Sequence, residues 1–246
     1  MNTQESDLAE TRVCDLVTSI PARGGVLSKY NLDFCCGGEE TLSQACELRG
    51  IAIEDVIRDI EYIDLKRGES RKGEFDAMSA TELCDHIESN HHEFLKQHLP
   101  IVAQHANKVA LVHGEREPYL KEIASVFTEL KNELEPHMLK EEQILFPLIR
   151  QLDGSTTLPE SHCGSVHNPI RAMFMEHRAA GIALERLRVL SSNYVPPPHA
   201  CNTYRALFDE LMILEQDTHI HIHKENHILF PKAKLLEEGL SHRSLP

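Results

Sequence analysis

The chain has 246 residues, enough for one or two domains with a substantial apolar core. Its 39 acidic residues against 25 basic give a formal net charge of −14, which speaks against a nucleic-acid partner, and no run of about 18 apolar residues marks a membrane-spanning helix. Seven cysteines with no Cys-x-x-Cys pair lack the usual spacing of a thiolate zinc site and argue against a disulfide scaffold, and with no Trp and 5% aromatic residues the composition does not resemble an aromatic base-stacking surface.

The N-terminus, MNTQESDLAE, is polar and acidic and lacks the basic region and apolar core of a secretory signal. A cytoplasmic location is expected. Residues 1–65 read as a small helical N-terminal domain, with Val13, Leu16, Val17 and Ile20, then Ile53, Val56, Ile57 and Ile60, at helical spacing. Pro21 suits a first helical turn and Gly37-Gly38 mark a break. The charged, non-periodic stretch 66–76, KRGESRKGEFD, is expected to be a linker.

Residues 77–246 carry four long helical patterns, predicted over about 79–112, 118–152, 166–191 and 200–237. A break or kink is expected at Pro100, in the first. Short loops and no strand pattern predict an all-α, up-down four-helix bundle.

Histidine is the compositional outlier, at 16 residues. Two of them open a motif that occurs twice, His137-Met-Leu-Lys-Glu141-Glu-Gln-Ile-Leu-Phe-Pro147 and His221-Ile-His-Lys-Glu225-Asn-His-Ile-Leu-Phe-Pro231. A His and a Glu four residues apart share one helix face. Both pairs fall on apolar stripes: Phe127, Leu130, Leu134, Ile144, Leu145 and Leu148 in the second helix, Leu207, Leu211, Leu214, Ile228 and Leu229 in the fourth. Ionisable groups on a core face are costly unless paired or bound to metal. His177 lies on the third stripe, with Ile170, Met173, Phe174, Leu184 and Leu187. On the first helix the stripe Leu83, Ile87, Phe94 and Leu95 accommodates His91 as well as His92.

Nearly equal intervals separate His92 from His137 and His177 from His221, so the chain reads as two helix pairs related by an approximate two-fold axis. Four His and two Glu suit a dinuclear centre with both carboxylates bridging, of iron or manganese, although zinc accepts the same ligands. His219, His223 and His227 lie on the other side of the fourth helix and are expected to form a solvated face. The Ile-Leu-Phe-Pro tails are expected to end or kink their helices, and Pro136 to kink the chain beside His137.

On these motifs, on Lys29-Tyr-Asn-Leu-Asp-Phe-Cys35-Cys36-Gly-Gly-Glu-Glu-Thr-Leu42 and on Val195-Pro-Pro-Pro-His-Ala-Cys201, the chain resembles the repair-of-iron-centres family of the YtfE/ScdA type, with its haemerythrin-like di-iron domain. The resemblance covers nearly the whole chain. It implies two non-haem iron ions, carboxylate- and oxo-bridged, on His92, His137, Glu141, His177, His221 and Glu225. It selects His92 over His91, because Asp85-His86-Ile87 and Leu99-Pro100 align without a gap. It implies that Glu176 supports a ligand from behind and that Cys35-Cys36 has a redox or delivery role; small apolar residues at a helix junction are the alternative for the pair.

The function implied is repair of iron–sulfur clusters damaged by nitrosative or oxidative stress, through donation of iron to damaged iron–sulfur proteins. No catalytic residue is assigned. An alternative is that the same centre binds or reduces nitric oxide, and a third is reversible binding of oxygen or nitric oxide. No nucleic-acid or membrane partner is expected, and a homodimer is compatible with the sequence.

Overall fold

The computed structural model describes residues 3–67, 75, 77–160 and 163–243. Most of the stretch expected to be a linker, 68–74 and 76, lies outside the described residues.

Five short helices come first: α1 (Thr3–Glu10), α2 (Val13–Ser19), α3 (Arg23–Lys29), α4 (Leu42–Arg49) and α5 (Ile53–Arg67). Local chemistry sets their ends. The Thr41 hydroxyl accepts from the Gln44 N–H while the Gln44 side chain accepts from the Thr41 N–H, a capping box that starts α4. Gly50 closes it at φ 65°, in the left-handed region where glycine carries no Cβ penalty.

Four rods follow. The first is α6 (Ala80–Ile87), a π turn (Glu88–His92) and α7 (Glu93–His113). The second is α8 (Tyr119–Lys140), a π turn (Glu141–Leu145) and α9 (Phe146–Gly154). The third is α10 (His167–Leu190). The fourth is α11 (Asn202–Lys224), a π turn (Glu225–Leu229) and α12 (Phe230–Arg243). Ser79 and Glu82 form the capping box that starts the first rod. α7 packs on α8, α8 on α10, α10 on α11 and α11 on α7, while α6 meets α9, so sequential rods run antiparallel around a ring.

None of the four prolines ends its rod, as the expectation of a break or an end would have it. Pro100 and Pro136 lie inside α7 and α8, which continue through them. The second and fourth rods also continue beyond Pro147 and Pro231, to Gly154 and Arg243. Just before those two prolines the ladder slips: the Phe146 N–H bonds the Glu141 carbonyl and the Phe230 N–H the Glu225 carbonyl, five residues back rather than four. A proline that follows has no N–H with which to restore the α register at its own position.

Among the described residues the apolar side chains gather into two clusters. One joins the N-terminal helices (Val13, Leu16, Ile60) and the turn residue Phe34 to one half of the bundle (Leu95, Phe127, Leu130, Leu184, Leu211). The other fills the opposite half, with Leu83, Ile87, Phe146, Met173, Leu229 and Phe230. Ile144 and Phe174, expected on core stripes, are instead exposed. The N-terminal helices seat on the fourth rod closely enough that a Cβ at Gly24 would lie 2.7 Å from Ile220 Cδ1.

Candidate metal centre

Between the two apolar clusters lies a layer of buried imidazoles and carboxylates. The structure brings all six residues of the expected set together, in two overlapping groups: His92, Glu141, His221 and Glu225, and His137, Glu141, His177 and Glu225. Each group takes one imidazole from each of two rods, and both carboxylates belong to both groups. His92, Glu141 and Glu225 are 0% exposed. Three of the four rods place a π turn here, with His92 ending one and Glu141 and Glu225 each beginning one. Such turns concentrate at functional sites because they re-aim side chains without ending the helix.

The distances are those of atoms converging on common points. His92 Nε2 and His137 Nε2 each lie 3.3 Å from Glu141 Oε2. His177 Nε2 lies 3.0 Å from Glu225 Oε2, and His221 Nε2 3.1 Å from Glu225 Oε1. Two ligand atoms about 2.1 Å from one ion and at right angles are about 3 Å apart.

What stands behind the imidazoles fixes their tautomers. His92 Nδ1 donates to Glu142 Oε1 at 2.8 Å and His137 Nδ1 to Glu176 Oε2 at 2.8 Å. Carboxylates only accept, so both rings carry the proton on Nδ1 and a lone pair on Nε2. Lys96 and Lys140 bond the same two carboxylates and, with the imidazoles, hold them below the usual carboxylate range against the opposing effect of burial. His177 Nδ1 lies 2.8 Å from Asn226 Oδ1. Thus the Nε2 atoms of His137 and His177, 3.2 Å apart, turn lone pairs toward each other.

A cation is what this arrangement fits. His92 Nε2, both oxygens of Glu141 and Glu225 Oε2 are buried without a hydrogen-bond partner, which is costly unless an ion satisfies them. Burial and the neighbouring Glu225 push the Glu141 carboxyl well above its ordinary value. Burial opposes ionisation of Glu225 too, but His221 and His177 hold it well below. Burial lowers His137 and His221 to about 4, so both stay neutral and free to ligate near neutral pH. A cavity of about 370 Å³ lined by Leu134, Pro136, Met175 and Ala179 reaches His137 and His177 from solvent.

His91 is also buried but faces elsewhere. Its Nδ1 donates to Asp217 at 2.9 Å, its Nε2 accepts from Lys224 at 2.8 Å, and its ring stacks on His221 at 5.4 Å. Glu142 and Asn226 were missed in the sequence, although the doubled motif carries the signal: each directly follows one of the two central glutamates, and each ties an imidazole on another rod. Glu176 stands where the resemblance implied, behind His137.

The expected solvated face on the fourth rod is instead covered by the N-terminal helices. His223 is buried and donates from Nδ1 to the Phe34 carbonyl at 3.0 Å, and His227 Nε2 donates to the Cys35 carbonyl at 3.1 Å. The Cys35-Cys36 turn therefore sits on the bundle, with free thiols 3.6 Å apart. Asp33 organises the turn by accepting from the backbone N–H groups of Cys35, Cys36 and Gly37.

Comparisons with known proteins agree with this architecture. The family model described as Hemerythrin HHE cation binding domain matches residues 84–233, and the ScdA_N model, of a domain of unknown function, matches residues 9–64. The iron-sulfur cluster repair protein YtfE of Shigella boydii serotype 4 is 35% identical over 219 residues, covering 89% of this chain and 94% of that protein. YtfE of Escherichia coli K12 matches to the same extent, and the iron-sulfur cluster repair protein ScdA of Staphylococcus haemolyticus is 31% identical over 223 residues, covering 91% of this chain and 97% of its own. The chain belongs to the YtfE/ScdA family of iron–sulfur cluster repair proteins, with a haemerythrin-type cation-binding domain.

Proposed function

We propose that this protein repairs damaged iron–sulfur clusters by supplying iron held between the four rods. The observation that carries the reading is the pair of overlapping His2Glu2 groups, whose shared buried carboxylates leave oxygens unsatisfied. His92 and His221 would hold one ion, His137 and His177 the other, and Glu141 and Glu225 would bridge them. Mixed imidazole and carboxylate donors suit iron.

The protein's own part is to aim the imidazoles and to keep His137 and His221 neutral. Glu142, Glu176 and Asn226 fix ring orientation from behind, and burial suppresses protonation of His137 and His221. The cavity over His137 and His177 provides a path for the ion and for small ligands such as nitric oxide or oxygen. The N-terminal helices to about residue 65 would form one domain and the rods from about residue 77 the other. Among the described residues no helix is long and apolar enough to cross a membrane, and a cytoplasmic site of action fits this reading. The names of the similar proteins support repair; they lend no support to nitric oxide reduction.

The test is reactivation. Iron-loaded protein is expected to restore activity to an enzyme whose [4Fe–4S] cluster has been damaged by nitric oxide, while Glu141→Leu and Glu225→Leu variants restore none. Full reactivation by the metal-free double variant would overturn the proposal.

A further inference from the structure

The Cys35-Cys36 turn and the buried centre meet at one side chain, Asn226. It is 5% exposed and bonds in two directions. Its Nδ2 donates to the Cys35 carbonyl at 2.9 Å, and its Oδ1 faces His177 Nδ1 at 2.8 Å. The amide can stand only one way round, because a carbonyl accepts and never donates. Oδ1 must therefore accept from His177, which fixes the His177 proton on Nδ1 and turns Nε2 toward Glu225. A second contact closes the loop: the Cys36 thiol lies 3.5 Å from the His177 carbonyl, to which it donates. A Cβ at Gly181, one turn along α10, would lie 3.3 Å from the Cys36 sulfur, so the thiol is seated directly on the helix that carries His177.

We propose that Asn226 is a positioning residue that couples the Cys35-Cys36 turn to the His177 side of the metal centre, so that metal occupancy sets the accessibility of the Cys36 thiol. This rests on the reading of the centre given above. An ion on Nε2 immobilises the His177 ring, the ring holds the Asn226 amide, and the amide holds the Cys35 carbonyl at the root of the turn. Without the ion the chain of contacts loosens and Cys36 is freer to leave the His177 carbonyl. The coupling runs both ways, so release of the turn from the His177 carbonyl would also weaken metal binding. Reagents can reach the thiol, because Cys36 is the exposed member of the pair and borders an open cavity of about 480 Å³ that Arg49, Arg178 and Arg188 also line.

The experiment measures alkylation of Cys36 by iodoacetamide, read by peptide mass, in full-length Cys163→Ser/Cys201→Ser protein, with and without iron(II), alongside metal content. Metal-free protein is expected to react at least about fivefold faster than loaded protein, the low end of ordinary coupling between sites. Asn226→Asp separates the two bonds: its carboxylate still accepts from His177 but cannot donate to the Cys35 carbonyl. Iron(II) added to that variant is expected to leave its alkylation at the fast rate, with metal content measured in the same samples. Equal rates in loaded and metal-free wild type, or a metal-dependent rate retained in Asn226→Asp, would overturn the coupling and leave the metal centre standing. A protein that binds no metal would overturn both.

Discussion

His91 and His92 are adjacent, both buried, and differ only in what they face. His92 aims Nε2 at Glu141, with Glu142 behind it, whereas His91 is spent on Asp217 and Lys224. His92→Asn is therefore expected to lower metal content and His91→Asn to leave the stoichiometry unchanged while costing stability, as metal analysis and thermal melting would show. Equal loss of metal from both variants would contradict this assignment. Residues behind the ligands act through orientation. Glu142→Ala frees the His92 ring and leaves Lys96 without its partner, and metal affinity is expected to fall by roughly 10–100-fold, measured by chelator competition. An unchanged affinity would mean that the ring is oriented by packing alone, for instance by its stacking on Phe146.

At the scale of the element, the π turns explain both what the sequence made legible and what it hid. The His-x-x-x-Glu pairs were readable because each lies on an α-helical turn closed before the register slips. The choice between His91 and His92 was not, because the ambiguity falls inside the turn Glu88–His92. An α-helix continued from Ile87 places His91 one turn on, whereas one extra residue per turn brings His92 to the same face. His219, His223 and His227 were misread for a different reason: periodicity along one helix cannot show that another part of the chain covers its far side. That cover gives a pH prediction. Burial lowers His223 to about 4 from an ordinary 6.5. The folded protein then resists a proton that the unfolded chain accepts, so the stability contributed by the neutral ring is full above pH 6.5 and is lost as pH falls toward 4. The loss approaches about 3 kcal/mol for that ring. Denaturant unfolding of metal-free protein at pH 7 and 4.5 should show a smaller acid loss in His223→Gln than in wild type; identical losses would contradict it.

Over the whole molecule, two apolar clusters enclose one polar layer, and the N-terminal helices share the core of the bundle half that they cover. The sequence revealed the bundle and the doubled motif because both rest on helical periodicity. The docking of Cys35-Cys36 beside His177 depends on the Phe34 and Cys35 carbonyls accepting from His223, Asn226 and His227, nearly two hundred residues away in the chain, and no local pattern announces those contacts. The polar layer is a liability for folding unless an ion satisfies it, so metal should stabilise the native state by an amount that grows with the logarithm of its free concentration, about 2.7 kcal/mol per site at one hundred times Kd. In the proposed centre Glu141 and Glu225 are shared by two ions, and metal analysis of anaerobically purified wild type and Glu141→Leu checks this. Two irons per chain in the wild type, with both lost together in the variant, is the predicted result; a single ion per chain, or one unaffected by Glu141→Leu, would contradict it.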